Sequence, residues 1–388
     1  METMVIRGWG SVVIAVLVGA CDADPAGVDA PPAVDAPAAS DAAPADAPPA
    51  TIDPSLLVPG CFVGGEAPQL DLAAPVPGWT WNDPHVVASP DGYWMYASAT
   101  DAFVFPVRLY RLTSPDGATW SAASVTLVLD VADAGAWDAG GVETPAVVAF
   151  AGAYHLFYTG YQTLPTDPAH TALEFRVGHA VATDGETFAR VGPPVIAPSG
   201  DDADPTNDWY QFIVGEPAPV VRDGRLDLYF TAVGIDAGLA STLQVIGVVS
   251  TTDGVTWTAP QRVLAPDQAI YPRGEGWIGY STPNAAVIGD DVHLFFDVAY
   301  QPTGDAPYQQ LRVHHARSAD GATGWIHDSL AIRAAGDHAW ATEEARSPHA
   351  LLDGTSLRLY FAGHELDGTP PDHFAIGMLT CDLTGAAP

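Results

Sequence analysis

A pattern of apolar and polar positions recurs five times after residue 80. Each copy begins with a proline, continues as an apolar run, turns at a glycine or an Asp-Gly pair, and returns as a segment of alternating apolar and polar residues. Such alternation is typical of half-buried strands, and Asp-Gly marks a tight hairpin. The copies read DPHVVASPDGYWMYA, TPAVVAFAGAYHLFYTG, EPAPVVRDGRLDLYFTA, TPNAAVIGDDVHLFFDV and SPHALLDGTSLRLYFAG.

The alignment on proline extends further along each copy. The residue eleven positions after the proline is Met or Leu, and an aromatic residue follows it: Met95-Tyr96, Leu156-Phe157, Leu228-Tyr229, Leu294-Phe295 and Leu359-Tyr360. A third apolar segment comes next, and in four copies an Asp-Gly turn with an aromatic residue ends the unit. Four short strands in each of five units predict an all-β fold, a five-bladed β-propeller. We expect the tryptophans of these turns to pack between neighbouring blades.

The first 21 residues have a different character. Arg7 precedes an apolar run over residues 12–18, and the stretch VGAC ends at Cys21. The run is too short to span a bilayer and predicts a signal peptide. Its end resembles the lipobox of bacterial lipoproteins, which implies lipidation of Cys21; a plain secretory signal is the alternative. Either interpretation places the mature protein outside the cytoplasm, anchored to the cell envelope by lipid or secreted.

Residues 22–59 consist almost entirely of Ala, Pro and Asp, with seven aspartates and no basic residue. Such a segment buries little apolar surface, and its prolines and like charges keep it extended. We interpret it as a disordered tether, with a removable pro-segment as the alternative. The predicted organisation is therefore a signal segment over 1–21, a linker over 22–59 and the propeller over 60–388.

The fifth copy of the repeat ends after its third strand, at GMLTCDLTG. Another segment must complete this blade, since an unpaired edge strand is a liability. The stretch before blade one, CFVGGEAPQLDL, is the natural candidate. Cys61 opens this stretch and Cys381 lies in the last strand, so ring closure brings the two cysteines together. In an oxidising compartment this predicts a disulfide between Cys61 and Cys381.

The charge of the chain limits the classes of partner that it can bind. The formal net charge is −33, from 47 acidic residues against 14 basic ones, and every basic residue is arginine. Nucleic acid is excluded as a partner, because few cations are present to replace the counterions of a phosphate backbone. We expect a monomer that meets the membrane through its lipid anchor only. The sequence has no phosphate-binding loop, Cys-x-x-Cys motif or nucleophile elbow, and we expect no cofactor.

The first strand of every propeller blade lines the central channel, so the residues beside the five prolines converge at one mouth. These residues are Asp83, Thr144, Glu216, Thr282 and Ser347. Blade two adds Glu143, and blade five adds Arg346 and His349. Two carboxyl groups that face each other across a cavity are what glycoside hydrolysis requires, one ionised and one protonated. Asp83 and Glu216 are the leading pair.

These motifs resemble those of the five-bladed propeller glycoside hydrolases of families 43, 32, 62 and 68. WNDPHVV is similar to the blade-one motif, whose aspartate is the general base in family 43 or the nucleophile in family 32. GEPAPVV is similar to the blade-three motif that carries the general acid, which corresponds to Glu216. His85 and Val86 replace the Asn and Gly that follow the proline in family 32, which favours family 43 and an inverting mechanism.

The chain departs from the family pattern in blade two. The families have an aspartate beside the blade-two proline, whereas this chain has Thr144, with Glu143 one residue earlier. Glu143 is therefore a third catalytic candidate. Because the family 43 acid commonly stands two residues before its proline, as Glu143 does, Glu143 and Glu216 could exchange roles.

Other residues are candidates for contact with a carbohydrate substrate. Sugar rings stack on indoles, and long loops on rigid scaffolds often bind ligands. The substrate-binding candidates are Trp81, Asn82, His85, Trp209, Asn284, Arg346 and His349. No metal-ligand motif is present. The aspartates of the insertion before Glu216 could hold a structural calcium ion, although a solvated acidic loop is the favoured interpretation.

The sequence thus predicts an exported glycoside hydrolase that acts on arabinose-, xylose-, galactose- or fructose-type linkages through a carboxylate pair. Two alternatives belong to other functional classes. A non-catalytic carbohydrate-binding propeller is suggested by the missing blade-two aspartate, and a structural propeller lipoprotein would have a blocked channel mouth.

Overall fold

We describe the computed structural model over residues 52–70, 79–101, 104–162, 175–200, 208–239, 241–302, 306–365 and 373–384. The signal segment, Cys21 and most of the predicted tether lie outside these ranges. Within them the chain forms strands and short 3-10 turns but no α-helix. No helix in these ranges is both long and apolar enough to traverse a lipid bilayer.

The strands form five blades, as the repeat predicts. A two-residue strand, β1 (Val63–Gly64), comes first. Blade one contains β2 (Trp79–Ser89), β3 (Gly92–Asp101), β4 (Val104–Ser114) and β5 (Thr126–Leu129). Blade two contains β6 (Gly141–Phe150), β7 (Ala153–Tyr161), β8 (Arg176–Ala182) and β9 (Ala189–Arg190). Blade three contains β10 (Ile213–Arg222), β11 (Arg225–Asp236), β12 (Ser241–Thr251) and β13 (Gln261–Leu264).

Blade four contains β14 (Trp277–Ile288), β15 (Asp291–Tyr300), β16 (Gln309–Ser318) and the short strands β17 (Ile326–His327) and β18 (Arg333–Ala334). Blade five contains β19 (Glu344–Asp353), β20 (Ser356–Glu365) and β21 (His373–Asp382). Neighbouring strands within each blade are antiparallel, and each hairpin begins with the strand that carries the proline. The all-β, five-bladed prediction is confirmed.

The repeated Leu-aromatic pair lies in the second strand of each blade and is fully buried in all five. In three blades the aromatic residue is a tyrosine that reaches the Asp-Gly turn of the next blade. Tyr96 donates its hydroxyl hydrogen to the Gly185 carbonyl at 2.7 Å, and Tyr229 donates to Gly321 at 2.7 Å. The aromatic residue of each turn also packs on the preceding blade, in the pairs Phe188–Tyr96, Trp257–Phe157, Trp325–Tyr229 and Trp120–Tyr360. The turns therefore hold neighbouring blades together, as expected for the tryptophans.

Ring closure follows the predicted route. The strand β1 pairs antiparallel with β21 and so becomes the fourth strand of blade five. Leu70 adds a bridge to Ile376 in the same strand. The Cys61–Cys381 disulfide is present and joins the two ends of the chain segment that forms the ring. Tyr360 closes the ring on its other side by donating to the Gly117 carbonyl of blade one at 2.8 Å.

The start of the folded region corrects the predicted domain boundary. The sequence pattern assigns residues 52–59 to the tether, yet they pack against blade five. The backbone N–H of Asp53 donates to the Leu383 carbonyl at 2.9 Å, and Leu57 is buried in the same cluster as Cys381. The apolar residues Ile52, Leu56 and Leu57 distinguish this stretch from the Ala, Pro and Asp before it. The propeller therefore begins near residue 52.

We expect the disulfide to contribute strongly to stability. Replacement of both Cys61 and Cys381 by serine should lower the free energy of unfolding by on the order of 3 to 6 kcal/mol, because the bond closes a loop of 320 residues in the unfolded chain. Denaturant titration of the double variant and the oxidised wild type measures the difference. Equal stability of the two proteins would contradict this expectation.

Candidate active site

One backbone irregularity recurs in all five blades and creates the site. The residue before each proline has a positive φ angle, near 50°: Asp83 (φ 53), Thr144 (φ 50), Glu216 (φ 54), Thr282 (φ 44) and Ser347 (φ 50). At this same place the register of each first strand shifts against the second strand. Bulges of this kind redirect a side chain, and such strain costs on the order of 1–3 kcal/mol at each residue. A ring of five strained residues is the mark of a functional site.

The redirected residues line one cavity on the propeller axis, as the repeat predicts. Its non-atom space amounts to about 300 Å³, a volume that includes open solvent. Its wall consists of the five residues before proline, the five prolines, and three residues that follow a proline: His85, Asn284 and His349.

A second repeated feature ties four of the five residues before proline to the preceding blade. Fourteen positions after the proline, on the second strand, stands a hydroxyl or carboxyl group that accepts the backbone N–H of the next wall residue. The pairs are Ser98 with Thr144 (2.8 Å), Thr159 with Glu216 (2.7 Å), Thr231 with Thr282 (3.0 Å) and Asp297 with Ser347 (2.9 Å). These bonds offset the backbone strain, and they make the positions of these four residues depend on the neighbouring blade.

Asp83 is held as an acceptor of two hydroxyl groups. It is 5% exposed, and its two carboxyl oxygens accept from Ser98 at 2.7 Å and from Ser347 at 2.8 Å. Ser98 belongs to the same blade, whereas Ser347 is the wall residue of blade five. These two hydrogen bonds fix the orientation of the Asp83 carboxyl group.

The two candidate glutamates have environments that favour their protonated forms. Burial and the charges of Asp83 and Glu216 raise the pKa of Glu143 to about 8, against a smaller opposite effect of Arg346. Burial also raises the pKa of Glu216, although donors at Thr231 and at the backbone of Thr282 oppose the shift. The Thr282 N–H lies 2.7 Å from a Glu216 oxygen. The site therefore contains two carboxyl groups with raised pKa values, and the pKa of Glu143, about 8, keeps that group protonated at neutral pH.

Asp297 is a further carboxyl group that the sequence analysis missed. It has no exposed surface and accepts from the Ser281 hydroxyl, the Gln310 amide and the Ser347 backbone. Burial and the charge of Glu216 raise its pKa to about 7. The sequence feature that points to Asp297 is its position in the repeat. It stands fourteen residues after the proline, where three other blades have a hydroxyl group.

One buried cation balances these acids. Arg346 is 8% exposed and lies 3.6 Å from Glu344. Burial opposes its charge, but Glu344, Asp83 and Asp297 outweigh this effect and raise the pKa of Arg346. Arg346 therefore lies within the electrostatic influence of these carboxyls, but it is not among the residues that line the cavity.

Two tyrosines accompany the acids. Burial and nearby carboxylates raise the pKa of Tyr161, beside Glu143 and Asp83, and that of Tyr308, beside Glu216 and Asp297. Both hydroxyl groups therefore remain neutral donors. The sequence analysis named neither tyrosine.

The three predicted binding residues that follow a proline form one connected layer in the channel. The His85 and His349 rings contact each other at an interplanar angle of 55°, with centroids 4.2 Å apart, and an Asn284 amide nitrogen lies 2.8 Å from His349 Nδ1. Burial lowers the pKa of His85 to about 4 and that of His349 well below its ordinary value. Both rings are therefore neutral at physiological pH, and each bonds a backbone carbonyl of a neighbouring blade, at Val147 and Val86.

The structure corrects other parts of the predicted binding set. Trp81 is 0% exposed and packs edge-on against Tyr110, so it belongs to the core and cannot form a sugar-stacking wall. Asn82 is also 0% exposed, so it can affect a substrate only through its neighbours. Trp209 is half-buried and stacks on Phe230 of blade three, away from the cavity wall. Successive side chains of a strand face the core and the channel in turn. A bulge reverses this alternation, and the sequence does not show where the bulge lies.

The predicted calcium ligands of the insertion, at residues 201–208, lie outside the described side chains. Among the side chains that are described, no group of three or more His, Cys, Asp or Glu residues is arranged to hold a metal ion.

The raised carboxyl pKa values predict an unusual dependence of stability on pH. The unfolded chain loses the Glu143 proton near pH 4.5, whereas the folded protein keeps it to about pH 8. The free energy of unfolding should therefore fall as the pH rises within this window. Buried histidines such as His85 have the opposite effect below about pH 6.5, so the range from pH 6.5 to 8 isolates the carboxyls.

Denaturant titration across this range should show a shallower fall for Glu143→Gln than for wild type. Glu66→Gln, at an exposed site, is the matched control and should keep the wild-type slope. Identical slopes for all three proteins would show that Glu143 ionises normally in the folded state.

Comparisons with solved structures show which known proteins have a similar fold. One glycoside hydrolase structure is 15% identical with a TM-score of 0.63, over 82% of this chain and 92% of that one. The catalytic domain of a GH62 alpha-L-arabinofuranosidase from Coprinopsis cinerea is 15% identical with a TM-score of 0.58, over 84% and 98%. A thermostable family-43 glycoside hydrolase is 14% identical with a TM-score of 0.55, over 79% and 91%. No family model and no curated protein matches the chain. The chain therefore shares the fold of these structures, which include glycoside hydrolases of families 43 and 62.

Proposed function

We propose that this protein is a glycoside hydrolase whose active site is the axial cavity of the propeller. One observation carries the proposal. Asp83 and Glu216 occupy the same strained position in blades one and three, on the wall of one cavity, in contrasting environments. Asp83 accepts two hydroxyl hydrogen bonds, while burial raises the pKa of Glu216. Acid-base cleavage of a glycosidic bond requires two carboxyl groups beside one cavity, one that accepts a proton and one that donates a proton.

The proposed reaction proceeds with inversion. Asp83 accepts a proton from a water molecule, whose oxygen forms a bond to the anomeric carbon. Glu216 donates its proton to the glycosidic oxygen as the bond from that carbon to the leaving group breaks. The base gains one proton and the acid loses one, so the pair must be reset between turnovers. Negative charge around the cavity stabilises the oxocarbenium character of the transition state.

The neighbouring groups support these roles. Below about pH 8 Glu143 is neutral, so it adds no negative charge beside Asp83. Arg346 limits the repulsion among the acids, since its guanidinium lies close enough to Asp83 and Asp297 for their charges to raise its pKa. The neutral His85 and His349 rings and the Asn284 amide give this part of the cavity wall polar character without net charge.

The proposed substrate is a polysaccharide or oligosaccharide with arabinose-, xylose-, galactose- or fructose-type linkages. The name of the GH62 structure, an alpha-L-arabinofuranosidase, makes arabinofuranosides the first choice. We further propose that the protein acts outside the cytoplasm, as a monomer anchored through lipidated Cys21. Metabolic labelling with a palmitate analogue should mark the wild type and not Cys21→Ser; equal labelling would contradict the anchor.

The substrate proposal is tested by a screen of aryl arabinosides, xylosides and galactosides together with arabinan, xylan and fructan. We expect release of aryl alcohol or reducing sugar from at least one of them. Glycan binding without turnover would instead select the non-catalytic carbohydrate-binding propeller, which is favoured by Thr144 at the blade-two position. If the protein neither binds nor cleaves any of these compounds, the structural role remains as the interpretation.

A further inference from the structure

The carboxyl group of Asp297 is not explained by the repeat. Fourteen residues after the proline, blades one, two and three have Ser98, Thr159 and Thr231, whose hydroxyl groups accept the backbone N–H of the next wall residue. A threonine would do the same in blade four. Asp297 instead places an ionisable group where no surface is exposed, and burial of a charge is costly unless several donors compensate it.

One set of its contacts leads to the proposed base. The Ser347 backbone N–H donates to Asp297 Oδ2 at 2.9 Å, and the hydroxyl of the same Ser347 donates to Asp83 Oδ1 at 2.8 Å. Asp297 therefore fixes the residue that orients one of the two bonded oxygens of Asp83.

A second set of contacts leads to the proposed acid. The Gln310 amide nitrogen lies 3.0 Å from each Asp297 oxygen and 2.9 Å from the Thr282 hydroxyl. The backbone N–H of Thr282 donates to Glu216 at 2.7 Å. A hydroxyl group in place of the carboxylate could accept the Ser347 N–H but could not hold the Gln310 amide with two oxygens.

We propose that Asp297 is a positioning residue that fixes the proposed base and acid relative to each other, through Ser347 on one side and Gln310 with Thr282 on the other. This inference rests on the proposed function for the roles of Asp83 and Glu216. Asp297 does not touch the substrate, because it has no exposed surface. Its effect is on geometry, and small displacements of reacting groups can cost about 10² in rate.

Two variants separate the two connections. Asp297→Thr keeps an acceptor for Ser347, as Thr231 does for Thr282, and loses the Gln310 contact. Asp297→Ala loses both. On the substrate that the screen identifies, kcat should fall about 10-fold to 10²-fold in the threonine variant and further in the alanine variant, with KM changed by less than about 3-fold. Loss of the negative neighbour should also move the basic limb of the pH profile to lower pH.

Asp227→Asn is the matched control. Asp227 is also a buried aspartate on the second strand of a blade, but it pairs with Arg225 outside the cavity. It should keep the wild-type kcat and pH profile even if its stability falls. Values of kcat within about 2-fold of wild type in both Asp297 variants would overturn the inference.

A readout without substrate separates this inference from the proposed function. Hydrogen–deuterium exchange of the Ser347 amide should be slow in wild type and in Asp297→Thr, and fast in Asp297→Ala. Pro348 follows and has no amide hydrogen, so a short peptide reports on few sites. If wild type has no activity, the proposed function fails while exchange still tests the positioning. Slow exchange of the Ser347 amide in Asp297→Ala would contradict the positioning role of Asp297. If Asp297→Ala does not fold, fast exchange of this amide in Asp297→Thr would contradict that role.

Discussion

Asp83→Asn should lower turnover by about 10² to 10⁴ while the protein remains folded. The asparagine has the size of the aspartate, and Ser98 and Ser347 can rotate their hydroxyl groups to meet an amide. What the variant lacks is the basic oxygen that accepts a proton from water. Steady-state kinetics on the substrate found by the screen measures the loss, and thermal unfolding reports whether the fold is intact.

Asp91→Asn is the control for this variant. Asp91 lies in the turn of the same β2–β3 hairpin and is exposed, so the substitution changes the charge of the chain equally without touching the cavity. It should keep wild-type turnover. An Asp83→Asn enzyme as active as Asp91→Asn would remove Asp83 from the mechanism.

Glu216→Gln should lower turnover by a similar factor, and the loss should depend on the leaving group. A poor leaving group needs the proton of the acid, whereas an activated aryl group departs without it. We therefore expect a loss of about 10² to 10⁴ on a natural glycoside and a much smaller loss on a dinitrophenyl glycoside. The glutamine can still accept the Thr282 N–H, which preserves the local structure. The basic limb of the pH profile, set by the raised pKa of Glu216, should disappear.

Glu143→Gln is the informative comparison, because its carboxyl also retains a proton near neutral pH. If Glu143 only tunes its neighbours, the variant should keep substantial activity on both kinds of glycoside. If Glu143→Gln shows the dependence on leaving group while Glu216→Gln remains active, the acid belongs to blade two, and the assignment of Glu216 is wrong.

Repetition made the architecture predictable. Five prolines in register indicated five hairpins, and the convergence of first strands on a propeller axis predicted that Asp83 and Glu216 share one cavity wall. The two cysteines were informative because they lie where the incomplete fifth blade must close. The pairing of β1 with β21 was predictable for the same reason, since ring closure leaves one incomplete blade for β1 to join.

Features that depend on local deviations were not predictable. The residue before a proline prefers an extended conformation, so the sequence does not predict the positive φ of Asp83 and its four counterparts. Without the bulge the alternation of side chains is assigned wrongly, which is why Trp81 was expected at the channel and lies in the core. Asp297 was missed because only residues close to the prolines of the first strands were considered for the site. Its partner Ser347 is 50 residues further along the chain, and only the fold brings them together.

The stereochemistry of the first product tests the central claim most directly. Proton NMR of the sugar released in the first minutes of reaction distinguishes the two anomers before they equilibrate. With Asp83 as the base and Glu216 as the acid, the carboxyl groups should stand about 6.5 to 9.5 Å apart with a water between them, and the first product should have the inverted configuration. A first product with retained configuration would show that a carboxylate attacks the anomeric carbon itself, and it would contradict the acid-base pair across the cavity.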